Sequence, residues 1–182
     1  MFKNNKFEFA TKQPKIISFV GMMGAGKTKF GTFLSKKLKY RFYDVDKKIQ
    51  QKFNQTINDI FKNFGEDFFR DEENKITTFI VNKIIKEGQN SIISLGGGGF
   101  NNQKTQKLLL SNSLVIWLSC PVEVLVKRIG NGNERPMLDD NIKGSLEKIL
   151  KKRIKFYNKA HIKLNTEENA FNKMSSKIIK YV

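Results

Sequence analysis

Residues 21 to 28, Gly21-Met22-Met23-Gly24-Ala25-Gly26-Lys27-Thr28, follow the spacing G-x-x-x-x-G-K-[ST]. That spacing serves phosphate binding. Glycines let backbone N–H groups curl around phosphate oxygens, a following helix adds the positive end of its dipole, Lys27 reaches the β- and γ-phosphates, and the Thr28 hydroxyl ligates Mg²⁺. A metal held in this way needs an acidic partner, often at the end of another strand. Asp44 and Asp46, in Phe42-Tyr43-Asp44-Val45-Asp46, are the candidates, and alternation sends both to one side if the strand continues. Asp44 also suits the N-cap of a following helix.

The 182 residues carry a net charge of +17, which admits nucleic acid, a membrane surface or small anions as partners. The lysines are spread along the whole chain without a basic block, a pattern that solvates a surface, whereas nucleic-acid footprints are clustered and interleaved with aromatics. In a chain that writes Lys for positive charge, the five arginines stand out: Arg41, Arg70, Arg128, Arg135 and Arg153. A planar fork is preferred to an ammonium where a carboxylate or phosphate is gripped bidentately. A single cysteine, Cys120, excludes an internal disulfide and a cysteine metal site, and reads as strand-end packing.

These groups need a scaffold to bring them together. Short apolar, β-branched runs predict strands at 16–20, 41–44, 91–95, 114–118 and 162–164. Helical periodicity predicts helices over 28–38, 46–53, 57–64, 66–86, 104–110, 121–129, 145–160 and 170–181. Strands alternating with helices imply an α/β fold, a parallel sheet flanked by helices on both faces, in a single domain. Residues 130–144, rich in Gly, Asn and Asp, predict a mobile loop of lid length that contains Arg135. No apolar run approaches the roughly 18 to 20 residues of a membrane span, and the start of the chain lacks a signal-peptide pattern. A cytoplasmic location is expected.

The motifs GMMGAGKT, FYDVD, FFRDEE, SLGGGG, RPML and RIKFY, in that order across residues 15–182, resemble the motif set of shikimate kinases. The resemblance implies a five-stranded parallel sheet of the nucleoside-monophosphate-kinase type and ATP-dependent phosphorylation of the 3-hydroxyl of shikimate, on the way to chorismate and the aromatic amino acids. It places Gly24, Ala25, Gly26, Lys27, Thr28 and Lys29 on the nucleotide, with Thr28 and Asp44 holding Mg²⁺. Asp46 would act on the attacking hydroxyl. Arg70 and Arg153 would grip the acceptor carboxylate beside a backbone wall of Gly96, Gly97 and Gly98, with Glu73 supporting the arginines. Arg128 would stack on adenine, and Arg135 would face the transferred phosphate from the lid. Arg41 has no family role and is expected at the surface. Lys27, Asp46 and Arg135 are then the catalytic set.

The chain departs from the family in three places. Gly99 and Phe100 stand where a small residue and Val are usual, which predicts a differently shaped pocket wall. RPLL is written RPML, and Glu167, Glu168, Asn169 and Ala170 replace a basic, Pro-containing adenine loop. The expected partners are ATP and shikimate, bound by a monomer with acceptor-binding helices over about 46–86, a flexible extension at 1–14, and no role for nucleic acid or membrane. A related small-polyol kinase acting on a gluconate-like acceptor, or a kinase-derived binding protein without activity, is the alternative. His161 is expected to be packed or at the surface, Trp117 to lie in the core, and the phenylalanines of 53–69 to cover a small core over the acceptor site, with pocket-rimming as the alternative for individual rings.

Overall fold

A computed structural model describes residues 15–130, 136–167 and 170–182. The expected extension at 1–14, Arg135, and Glu168 and Asn169 of the adenine loop lie outside the described residues.

Five strands form one parallel sheet: β1 (Ile16–Val20), β2 (Arg41–Asp44), β3 (Ser91–Ser94), β4 (Leu114–Ser119) and β5 (Ile162–Asn165), in the order β2-β3-β1-β4-β5. The inner strands β1, β3 and β4 are buried almost throughout, whereas the edge strands β2 and β5 are partly exposed. This is why IISFV and LVIWL read as continuous apolar runs: helices cover both faces of a parallel sheet, so both faces of each inner strand need apolar side chains. Helices α1 (Lys27–Leu38), α2 (Val45–Phe53), α3 (Ile57–Glu87), α4 (Gln103–Asn112), α5 (Val122–Ile129), α6 (Ile142–Tyr157) and α7 (Phe171–Ile179) complete the described chain. None is long and apolar enough to cross a membrane.

Phe30 of α1 is fully buried between Phe19 of β1 and Phe171 of α7, with ring centroids 5.2 and 5.3 Å away. Burying such a ring is worth roughly 1.5–3 kcal/mol. This aromatic contact seats the helix that follows the glycine loop.

Several predicted boundaries shift, each for a local reason. β2 ends at Asp44 and α2 begins at Val45, because the Asp44 carboxylate caps the helix by accepting from the Lys47 N–H at 3.1 Å. Strand alternation therefore does not carry through to Asp46. α6 starts at Ile142 rather than 145, capped by Asn141, which accepts from the Gly144 N–H at 2.9 Å, so the loop before it is shorter than expected. The two helices predicted on either side of Gly65 are the two halves of α3, which breaks where Gly65 takes φ 83°, a left-handed backbone that glycine adopts without strain.

Trp117 is buried and Cys120 half-buried at the end of β4. His161 is packed: its backbone N–H donates to the Val115 carbonyl, and its Nδ1 accepts the Val115 N–H at 3.0 Å. That acceptor role requires the neutral ring, and burial lowers the pKa of the imidazole below its ordinary 6.5. Because the unfolded chain then binds this proton more readily than the folded one, the contribution of His161 to stability is full above about pH 6.5 and shrinks as pH falls through that value. In His161→Asn, whose side-chain carbonyl can accept the same N–H without titrating, Tm should fall less between about pH 7.5 and 5.5 than in the wild type. Equal falls would overturn the neutral-ring contact.

Candidate active site

All the chemistry-bearing segments leave the sheet at the C-terminal ends of the strands. The glycine loop follows β1, Asp44 ends β2, Gly96–Gly99 follow β3, Cys120 follows β4, and Thr166 follows β5. In open parallel sheets this is the edge along which ligands bind. A cavity of about 490 Å³ lies there, bordered by Gly24, Gly26, Lys27, Thr28 and Lys29 at one end and by Asp46, Arg70, Gly96, Gly97, Gly98 and Arg153 at the other.

In the glycine loop, Gly26 caps α1 in a left-handed conformation (φ 88°), which aims the first turn of the helix at the cavity. The buried Lys27 lies back over its own loop, donating to the carbonyls of Gly21 at 3.0 Å and Met22 at 2.9 Å. Ala25 is buried, and its N–H donates to the Met22 carbonyl at 3.2 Å. Thr28 Oγ1 donates to Asp44 Oδ2 at 2.6 Å, so Asp44 caps a helix, as its sequence position suggested, and also faces the loop. Asp46, in the first turn of α2, is directed instead toward the glycines after β3.

Gly96–Gly99 let charged side chains approach the backbone more closely than any Cβ would allow. A methyl group on Gly96 would sit 2.6 Å from Asp46 Oδ1 and overlap Glu73 Oε1. One on Gly97 would sit 2.9 Å from Arg153 Nη1, and one on Gly98 2.6 Å from Arg70 Cζ. Phe100, expected to reshape this wall, is instead fully buried in the core and does not border the cavity; its carbonyl accepts from Gln106 Nε2.

Behind the wall, Glu73 is 0% exposed and accepts from Arg70 Nη1 at 2.7 Å, while Glu66 accepts from Arg70 Nε at 3.1 Å. Burial lifts the Glu73 carboxyl to about 7; the Arg70 charge opposes that rise and the neighbouring Asp46 charge adds to it. Arg70 also stacks near the rings of Phe69 and Phe61, 5.1 and 5.9 Å from their centroids. Both rings border the cavity, so for these two phenylalanines the pocket-rimming alternative holds.

Arg128 borders the cavity and donates from Nη2 to the Thr166 and Glu167 carbonyls at 2.6 and 2.9 Å, and from Nη1 to Cys120 Sγ at 3.4 Å. Arg41 is exposed at the sheet edge, 3.7 Å from Glu87.

Two contributors escaped the sequence reading. Tyr157, one helical turn beyond Arg153, donates from its hydroxyl to the Gly97 carbonyl at 2.5 Å, and burial pushes its phenol up to about 12. The i, i+4 spacing in RIKFY was the available signal. Met137 places its sulfur against both Arg70 and Arg153, a contact for which the sequence carries no signal.

A phosphate loop on the central strand of such a sheet, with an acceptor cavity opening beside it, defines a P-loop kinase of the nucleoside-monophosphate-kinase type. The family model described as shikimate kinase matches residues 23–182. Shikimate kinase of Persephonella marina is 37% identical over 152 residues, 83% of this chain and 88% of that protein. That of Clostridium botulinum is 40% identical over 147 residues, 80% and 84% of the two chains. The solved shikimate kinase of Acinetobacter baumannii in complex with shikimate superposes with a TM-score of 0.85 at 30% identity, over 93% of this chain and 92% of its own. The chain belongs to the shikimate kinase family.

Gly98→Ala forces the Arg70 guanidinium away from the wall. The KM for a carboxylate-bearing acceptor should rise about tenfold, the equivalent of about 1.4 kcal/mol, with the KM for ATP within about twofold of wild type. An unchanged acceptor KM would show that the position of Arg70 at the wall does not matter to binding.

Proposed function

We propose that the chain transfers the γ-phosphoryl group of ATP to the 3-hydroxyl of shikimate, forming shikimate 3-phosphate on the route to chorismate and the aromatic amino acids. The observation that carries this reading is the convergence of Arg70 and Arg153 on one point of the cavity, each with an Nη2 within 3.3 Å of the same atom. Two planar forks aimed at one point suit a carboxylate. The side-chain-free glycine wall and the rings of Phe61 and Phe69 favour a cyclic acceptor over an open-chain polyol.

In this reading the acceptor hydroxyl attacks the γ-phosphorus, the bond to the ADP oxygen breaks, and Asp46 takes the hydroxyl proton. Lys27 leaves its loop carbonyls for the phosphates, where its charge offsets the charge growing in the transition state. Arg135 adds a second positive charge to the same end, and Arg128 rests against the adenine. Mg²⁺ fits the donor set, because Thr28 Oγ1 and Asp44 Oδ2 are adjacent hard oxygens and this ion takes few protein ligands, keeping water and phosphate for the rest. Bound there, it would neutralise charge on the β- and γ-phosphate oxygens. Residues 15–182 act as one kinase unit, with helices over about 46–86 receiving the acceptor and the loop before α6, which carries Arg135, as its lid. The unit works as a cytoplasmic monomer on two small molecules, without nucleic acid or membrane.

Coupled assay of ADP release should show turnover that depends on shikimate and is not supported by gluconate. Lys27→Ala should reduce it by about 10² to 10³ or more with the fold retained. Asp46→Asn should cost about 10² to 10⁴ in kcat while leaving ATP affinity unchanged. ADP release indifferent to shikimate would overturn the acceptor assignment, and near-normal turnover in Lys27→Ala would overturn the role of the phosphate loop.

A further inference from the structure

Met137 lies five residues before α6 and borders the cavity. Its Sδ accepts from Arg70 Nη2 at 3.3 Å and from Arg153 Nη2 at 3.2 Å. These guanidiniums are not loose surface groups. Arg153 is 5% exposed, and Arg70 is fixed from behind by Glu73 and Glu66. Two positive forks facing a common point repel each other and demand an acceptor between them. In this structure the acceptor is a thioether, a polarisable but weak one. The segment that carries it is tied down: Ser145 Oγ donates to Asp139 Oδ1 at 2.5 Å, and Asn141 caps α6.

We infer that Met137 is an internal occupant of the acceptor's carboxylate seat, which the incoming carboxylate must expel, and that the side chain at 137 thereby sets acceptor affinity. This rests on the reading that the acceptor carries a carboxylate. The exchange favours the ligand because a carboxylate brings full charge and two oxygens to forks that otherwise hold one neutral sulfur. It still costs the sulfur contacts, so the wild type binds its acceptor less tightly than the bare forks would. A weak occupant suits this position. It satisfies the two guanidiniums when the pocket is empty and yields to the acceptor, whereas a strong hydrogen-bond acceptor at 137 would compete with the substrate.

The test replaces the sulfur in both directions. Met137→Leu keeps an apolar side chain of similar size that cannot accept a hydrogen bond; Met137→Gln keeps the stem length and presents an amide oxygen, a stronger acceptor. Calorimetric titration with shikimate, without nucleotide, should give Kd about threefold lower for Met137→Leu and about tenfold higher for Met137→Gln, while the Kd for ATP stays within about twofold. Equal shikimate affinities across the three proteins, or the reverse order, would overturn the inference.

A second measurement reads the contact without any substrate. In the ligand-free protein, the side-chain ¹⁵Nε signals of Arg70 and Arg153 should both move on Met137→Leu, and signals that stay in place would overturn it. If the wild type bound no shikimate while those signals moved, the function would fall and the internal occupant would stand. In protein with ¹³C-labelled methionine methyl groups, the Met137 signal, identified by its loss in Met137→Leu, should shift when shikimate is added. A signal unmoved by saturating shikimate would show that nothing is expelled.

Discussion

The Arg70–Glu73 pair is the interaction on which the acceptor half of the cavity depends. Glu73 is completely buried, and Arg70 reaches it through a 2.7 Å hydrogen bond. Without that carboxylate, Arg70 and the nearly buried Arg153 would face each other with only the half-exposed Glu66 as a counter-charge behind them. Breaking such a buried pair by removing one partner costs about 3–5 kcal/mol, a large share of the roughly 5–15 kcal/mol that holds a domain folded. The arrangement is not assembled for stability, since apolar residues of the same volume would serve as well or better. Its effect is on position: two guanidiniums facing one cavity need an acceptor on their protein side, and the buried Glu73 supplies it.

The sheet turns that local balance into a site. Parallel strands deliver every connection to one edge, so the phosphate loop after β1, the carboxylate ending β2 and the glycines after β3 arrive side by side although they are far apart in sequence. Asp44 illustrates the economy. One carboxylate oxygen starts α2 and the other accepts from Thr28, so the helix that carries Asp46 is anchored to the loop that carries Lys27.

The sequence disclosed what is local. The phosphate loop is contiguous, and its strand–turn–helix context could be read from apolar periodicity alone. The helix break at Gly65 was marked by its glycine. The arginines stood out because the rest of the chain uses lysine. Legibility failed where a contact joins distant segments. Met137 meets Arg70 across 67 residues, and Tyr157 meets Gly97 across 60; helical spacing could place Tyr157 on the face of Arg153 but could not name its partner. Phe100 was misplaced for a related reason: a glycine run does not announce which way the next side chain turns, and here it turns into the core. The alternation argument for Asp44 and Asp46 failed because a side-chain cap ended the strand at Asp44, before it could reach Asp46.

Arg153 and Tyr157 project from one face of α6 a single turn apart, and both meet Gly97: Arg153 Nη1 lies 2.9 Å from where a Cβ would stand, and the phenol holds the carbonyl. Four residues of α-helix advance about 6 Å. The separation between the guanidinium at the wall and the hydroxyl that pins it from behind is thus measured by a rod of fixed pitch, not by a loop. A one-residue insertion between them would swing one partner about 100° around the axis, so this stretch admits substitution but not a change of length. The dimensions of the cavity are inherited as a count of residues.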